Sequence, residues 1–246
     1  MMRKGGGATF INRFQGLLDL LFPRACPLCH LTLPQRHTGL FCLTCRQGML
    51  PLPASHCPRC ALPFASATTG PHLCATCQTS APPFLSTHAA GLYDENLKDA
   101  IHHFKYSGGH HLDRPLATLL FETLDSIIPP DIIVPVPLHI NRLRHRTYNQ
   151  SLLIAREVGR LLGRPVQPEG LARVRDTRPQ QGLGASQRAR NLTAAFTCPA
   201  PFNGEQVLLV DDVMTTGATA IACSRTLLQH GASAVRVAIL GRAPRP

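Results

Sequence analysis

The sequence predicts an α/β protein: a mostly parallel sheet with helices on both faces, preceded by a small cysteine-rich module. Three observations predict it. From about residue 81 onward, short apolar runs alternate with helix-length amphipathic stretches, the pattern of strands buried on both faces. One of those runs, Val207 to Val210, ends in Asp211-Asp212 and a loop of threonines and glycine. And eight of the ten cysteines fall into four Cys-x-x-Cys pairs within 52 residues. A chain of 246 residues is long enough for one good core and one small module.

Taken in order, residues 10, 11, 14, 17, 18 and 21 are apolar, which is helical spacing with one apolar face. This N-terminal helix over residues 1–22 is expected to dock on the protein itself. Its Arg3, Lys4 and Arg13 leave lying on a membrane surface as the other reading. Residues 23–80 carry the cysteine pairs, many prolines and no Asp or Glu; such a segment needs staples to fold. Pro82-Pro83 mark the boundary to a domain over 81–246. There, Thr87–Tyr93 reads as a strand and Glu95–Tyr106 as a helix with Leu97, Ile101 and Phe104 on one face. Leu112–Ile128 reads as a second helix closed by Pro129-Pro130, and Asp131–Val136 as a buried strand. Gln150–Leu162 is helical, ending at Gly163. Leu171–Val174 is a short strand, and Arg175–Arg190 a polar loop. Gln206–Val210 is a buried strand, Gly217–His230 a helix, and Ala234–Leu240 the last strand.

The pairs are Cys26/Cys29, Cys42/Cys45, Cys57/Cys60 and Cys74/Cys77. A Cys-x-x-Cys knuckle presents two thiolates to one metal, and two knuckles complete a tetrahedron. Four pairs make two four-cysteine sites, and all-thiolate ligation favours zinc over its rival, iron. Sequential sites, 26/29/42/45 and 57/60/74/77, are expected; a cross-braced pairing stays open. Four thiolates leave no position for a substrate, so both sites should be structural. The module forms an internal doublet. Cys198 and Cys223 fall outside the pattern and read as ordinary residues, Cys223 on a buried helix face. A disulfide-rich secreted protein is excluded by the metal spacing and by the lack of a signal-like apolar core after Met1-Met2-Arg3-Lys4. No run of about 20 apolar residues suits a transmembrane helix. The expected location is the cytoplasm, with the N-terminal helix as the element suited to the inner membrane face.

The segment from Val207 to Thr219 carries the most chemistry. A buried strand delivers Asp211 and Asp212 beyond its carboxyl end, where open α/β sheets bind ligands. Adjacent carboxylates there call for hydroxyls or a cation. Thr215, Thr216, Gly217, Ala218 and Thr219 then supply amides and hydroxyls at the start of a helix, a setting that favours an anion. Together these features suit a sugar phosphate. The charge agrees: the formal net charge is +11, and residues 141–191 hold eleven Arg against three acids, which implies an anionic partner. Arg142, Arg144 and Arg146 follow the strand end Val134-Pro135-Val136-Pro137-Leu138 at every second position.

The Asp-Asp-Val-Met-Thr-Thr-Gly-Ala-Thr stretch resembles the signature of type I phosphoribosyltransferases, which use 5-phosphoribosyl-1-pyrophosphate (PRPP). That resemblance implies a type I phosphoribosyltransferase-like fold, with Asp211 and Asp212 on the ribose hydroxyls and Thr215–Thr219 on the 5′-phosphate. It also implies that the loop after the Val-Pro-Val-Pro strand, with Pro137, Leu138, Arg142, Arg144 and Arg146, binds pyrophosphate with Mg²⁺. The four Cys pairs, Val-Pro-Val-Pro, Arg-x-Arg-x-Arg-x-x-Asn-Gln, and the stretch holding Arg178, Gln181 and Arg188 together resemble the ComF/GntX family over residues 18–242. Arg178, Gln181 and Arg188 then belong to a loop suited to close over the site. Members of that family commonly carry Gly where this chain has Thr147, and a β-branched residue resists positive φ, which puts the loop geometry there at issue.

Two functions compete. One is a Mg²⁺-dependent phosphoribosyltransferase with an unidentified acceptor. The other is an accessory protein of DNA uptake that binds single-stranded DNA, with PRPP as a regulatory ligand and DNA-uptake proteins as partners. The Arg surplus and the acid-free cysteine segment favour nucleic acid. Three Tyr and no Trp leave few stacking platforms for single strands.

Overall fold

The computed structural model describes residues 23–34, 37–64, 71–106, 108–124, 127–175 and 194–244. The helix expected within residues 1–22 lies outside them. So does the expected loop from residue 176 onward, with Arg178, Gln181 and Arg188.

The chain divides into two compact units, Met1–Gln47 and Gly48–Pro246. The division falls inside the cysteine module, whose doublet is visible in the backbone. In the first unit the Cys26 N–H donates to the Leu31 carbonyl, and the His30 N–H to the Cys26 carbonyl. In the second, the Cys57 N–H donates to the Leu62 carbonyl, and the Ala61 N–H to the Cys57 carbonyl. His30 and Ala61 hold the same left-handed conformation, φ 61° and 55°. A short helix follows the first cysteine of the second pair in each repeat and carries the other: α1, Leu43–Gln47, with Cys45, and α2, Ala75–Thr79, with Cys77.

The second unit is built on a sheet of four parallel strands: β1 Thr87–Leu92, β2 Ile132–Pro135, β5 Gln206–Met214 and β6 Ala234–Arg242, in the order β1-β6-β5-β2. A separate antiparallel pair joins β3, Ala172–Arg173, to β4, Phe196–Thr197. Helices α3 Glu95–Tyr106, α4 Asp113–Phe121 and α6 Gln150–Leu162 pack on one face. Helix α7, Ala218–Gln229, packs on the other, over Val207, Leu209, Val235, Val237 and Ile239. The alternation of these side chains with Leu208, Val210, Ala238 and Leu240, all buried, is the period-2 pattern of a two-sided sheet.

Helix termini follow their residues. The Asn149 side chain accepts from the Ser151 N–H at 3.1 Å and starts α6; Gly163, at φ 63°, ends it. The expected helix over Leu112–Ile128 is shorter than its apolar pattern. A 3₁₀ turn at His110–Leu112 leads into α4, which ends at Phe121. There the bonding tightens to i→i+3, and the Thr123 hydroxyl takes the Leu120 carbonyl at 2.8 Å. The expected loop after β2 is instead a helix, α5, Ile140–Arg146, capped by the His139 ring accepting from the Asn141 N–H. Thr147 ends α5 at φ 65°, its N–H on the Leu143 carbonyl. The chain therefore keeps the left-handed turn with a β-branched residue in it, against its preference.

The connections place a crevice. From β2 the chain runs outward through α6 to Val166, which bridges Ile133 in parallel. From β5 it runs inward through α7 on the opposite face to β6. The winding reverses between β2 and β5, and ligands of open α/β sheets bind at that point, beyond the carboxyl ends of the strands.

Candidate functional site

Each four-cysteine group can hold a metal. The sulfurs of Cys26, Cys29, Cys42 and Cys45 lie within 4.8 Å of one another, as do those of Cys57, Cys60, Cys74 and Cys77. The Cys29–Cys42 and Cys60–Cys74 sulfurs are 3.6 Å apart. A tetrahedron with Zn–S bonds of about 2.3 Å has sulfur–sulfur edges of about 3.8 Å, so both clusters fit zinc. The pairing is sequential. Burial pushes the Cys26 thiol up, but the amides of Cys29, Cys42 and Leu28 outweigh it and bring it down to about 6. Burial likewise raises Cys57, and the Cys74, Cys60 and Arg59 amides bring it to about 7. Amides donating to sulfur prepare one thiolate per cluster for a cation. Cys198 and Cys223 are buried and outside both groups.

The crevice between β2 and β5 is a cavity of about 390 Å³. Val136, Pro137 and Leu138 come from the end of β2, and Arg142 and Arg146 from α5. Asp211, Asp212 and Thr219 face them from β5 and α7, with Lys105, Tyr106, Ser151 and Arg173 on the flanks. The acids do not follow the strand as expected; they lie within it. β6 runs on beside β5, pairing Ile239 with Asp211 and Arg242 with Met214. β2 stops earlier, at the Pro135–Val210 pair. Asp211 and Asp212 therefore emerge where β5 has lost its neighbour on the β2 side.

Their charge is managed locally. The Lys105 Nζ lies 2.9 Å from an Asp212 carboxylate oxygen. Burial alone would pull Lys105 down, but Asp212, with Asp211 behind it, holds the ammonium above its usual range. The Ser151 hydroxyl and the Asp212 N–H donate to one Asp211 oxygen at 3.1 and 2.8 Å. Even so, burial and the neighbouring Asp212 push Asp211 up to about 7.

Sequence reasoning missed Lys105. The available signal was spacing: residues 97, 101 and 105 recur every four positions, so Lys105 continues the stripe of Leu97 and Ile101, both fully buried. A cation on that stripe needs an anion.

The arginines divide by helical geometry. Arg142 and Arg146, four residues apart, share a face of α5 and line the cavity; Arg144 is exposed and does not. Alternate positions share a face of a strand but not of a helix. Arg146 stands 4.8 Å over the Tyr106 ring and donates to its hydroxyl at 2.8 Å, which fixes the guanidinium at the cavity mouth.

The threonine loop lines an adjoining hollow with Asp211, Val213, Met214, Ala220 and Ile239. Gly217 sits at φ 83° at the N-cap of α7, with no side-chain cap. A Cβ there would come no nearer than 3.7 Å to Met214, so backbone conformation rather than space asks for glycine. The Thr216 hydroxyl accepts from the Ala218 N–H at 3.4 Å. A helix start with no side chain on its N-cap residue suits a bound anion.

Comparison with known proteins bears on most of the chain. The double zinc ribbon domain matches residues 17–78. The DNA utilization protein YhgH of Escherichia coli K12 is 35% identical over 230 residues, 91% of this chain and 99% of that protein. Competence protein F of Haemophilus influenzae is 34% identical over 179 residues, 69% of this chain and 78% of that protein. Among solved structures, a purine phosphoribosyltransferase from Pyrococcus horikoshii is similar at 21% identity. The match covers 53% of this chain and 72% of that one, with a TM-score of 0.34. On these identities to YhgH and competence protein F, and with its double zinc ribbon, the chain belongs to the ComF/GntX family.

Proposed function

We propose that the cavity between β2 and β5 binds PRPP with Mg²⁺, and that the chain transfers its phosphoribosyl group in the context of DNA uptake or DNA use. The observation that carries this reading is the facing of unlike groups across one cavity. Arg142 and Arg146 stand on one wall, and Asp211 and Asp212 on the other, beside the Thr215–Thr219 loop. The loop takes the 5′-phosphate, the acids take the ribose hydroxyls, and Pro137, Leu138 and the two arginines take the pyrophosphate. Mg²⁺ bound to PRPP would neutralise the pyrophosphate further. Arg144 is left outside the site.

In the transfer, the bond from ribose C1 to pyrophosphate oxygen breaks and its electron pair leaves with pyrophosphate. Positive charge develops at C1, and the acceptor's lone pair forms the new bond as the acceptor gives up a proton. The chain's contribution is positioning and charge: guanidinium groups stabilise the leaving group, and the carboxylates orient the ribose. The names of its relatives, a DNA utilization protein and a competence protein, favour a nucleic-acid context for the acceptor or the regulation.

The test is calorimetric titration of PRPP with Mg²⁺, followed by a pyrophosphate-release assay with candidate acceptors. Wild-type chain should bind, and Asp211→Asn with Asp212→Asn should lose at least about tenfold in affinity, two charge-assisted contacts being removed. Equal binding by the double variant sinks the assignment of the site. Binding without acceptor-dependent release turns the reading to PRPP as a regulatory ligand.

A further inference from the structure

Arg242, the last residue of β6, is 1% exposed and is the largest fully buried side chain among the described residues. Its Nε donates to the carbonyl of Cys60 at 2.8 Å. Its Nη1 donates to the carbonyls of Met214 and Thr215 at 3.0 and 2.7 Å, and to that of Ala243 at 2.5 Å. One guanidinium thus joins a cysteine of the second four-cysteine group to the first residues of the threonine loop. The same knuckle is fastened twice more to the start of the sheet. The Thr87 hydroxyl donates to the Arg59 carbonyl at 2.9 Å, and Arg59 donates to the carbonyls of Pro82 and Phe84. Met214 is held again by the Ala243 N–H on its carbonyl at 3.0 Å.

We propose that Arg242 is a positioning residue that makes the geometry of the Thr215–Thr219 loop depend on the metal held by Cys57, Cys60, Cys74 and Cys77. The inference rests on the reading of that loop as a 5′-phosphate cradle. In a trans peptide the carbonyl and the following N–H point in opposite directions. Holding the Thr215 carbonyl on the guanidinium therefore aims the Thr216 N–H away from it. The rigid fork of Arg reaches the Cys60 carbonyl through Nε and the loop side through Nη1, two directions that a single ammonium does not hold at that spacing. The buried positive charge also lies behind the loop that takes the anion, where solvent screens it little.

The metal matters because, apart from these ties to the sheet, the knuckle has little apolar core of its own. Among the described residues, its small core holds Leu62 besides the four cysteines, with Phe64 and Leu73 packed on it. Without metal the knuckle opens, the Cys60 carbonyl leaves, and a buried guanidinium loses an acceptor. The cost falls on the carbonyls it still holds, Ala243 beside it and Met214 and Thr215 at the entry to the phosphate loop.

The experiment compares three probes on the full chain: ribose 5-phosphate, PRPP with Mg²⁺, and pyrophosphate with Mg²⁺. Arg242→Met should weaken ribose 5-phosphate and PRPP about tenfold or more and leave pyrophosphate, held at the α5 end, within about twofold. Arg242→Lys should not rescue. Wild-type chain from which the second site's zinc has been withdrawn by graded chelation should show the same split. Cys26→Ser, which empties the other group, should not. Hydrogen exchange at residues 214–219 should rise in the first two cases only. Unchanged exchange at 214–219 after loss of the second zinc overturns the proposal, as does equal weakening of all three probes. If Arg242→Met fails to fold, the chelation series on wild-type chain decides alone. If wild-type chain binds none of the probes, the PRPP reading fails, and the exchange measurement still decides the coupling.

Discussion

Replacing Lys105 by Met keeps the length of the side chain and removes the charge 2.9 Å from Asp212. At that separation a unit pair interacts by about 6 kcal/mol at an effective dielectric of 20, and by about 1.4 kcal/mol in bulk water. The two side chains are 14% and 17% exposed, so the pair lies between these limits, and we expect a coupling of about 2–4 kcal/mol. The variant also leaves two neighbouring carboxylates without their cation, which adds to the cost of a broken buried pair, about 3 kcal/mol. For a unit of this size, that lowers Tm by about 6–12 °C. The assay is a double-mutant cycle of Lys105→Met and Asp212→Asn by urea denaturation near pH 8, where Asp211 is ionised. Asp212→Asn in the Lys105→Met background should recover part of the loss. A coupling below about 0.5 kcal/mol, the range of exposed pairs, would refute the claim that Lys105 neutralises the acid pair.

Two other predictions concern the same region. Thr147 holds φ 65° at the end of α5; Thr147→Gly should stabilise the chain by about 1 kcal/mol and raise Tm by about 2–4 °C, and a lower Tm contradicts the strain. Asp211 is raised from its ordinary value of 3.8 to about 7 by burial and by Asp212, so the folded chain binds that proton more tightly than the unfolded one. Its contribution to stability is full below about pH 4 and is lost as pH rises to about 7. Asp211→Asn should flatten that slope in denaturation curves, and an unchanged slope places the titration elsewhere.

The features that were legible in the sequence are those built from contiguous residues. The strands, the helices α3 and α6 and the cysteine knuckles each carry their signal within one or two turns of chain. Asp211, Asp212 and the threonine loop were legible because a single segment holds them. Much of what was illegible depends on partners far away in the chain, and the rest on how a local run closes. β5 runs past its acids because β6 lies beside it to Arg242. α4 stops at Phe121 through a local hydroxyl and tightened turns, although its apolar pattern continues. Arg-x-Arg-x-Arg suggested three equivalent contacts, and the helix that forms there turns Arg144 outward. Lys105 and Arg242 act through pairings that no local pattern prints: a carboxylate on β5, and carbonyls of Cys60, Met214 and Thr215.

The strand order carries a consequence for how the protein is made. β1 forms early in synthesis, yet its neighbour in the sheet is β6, with Thr87 against Val237. Until β6 has left the ribosome, β1 has no strand to pair with and β5 lacks its inner neighbour. Closure of such a long loop is slow, and unpaired strand edges invite association between chains. The second cysteine knuckle, already synthesised and tied to the start of β1 through Thr87 and Arg59, gives the waiting strand a folded neighbour. Zinc supply during translation would then govern how much of the chain escapes aggregation, before any ligand is met.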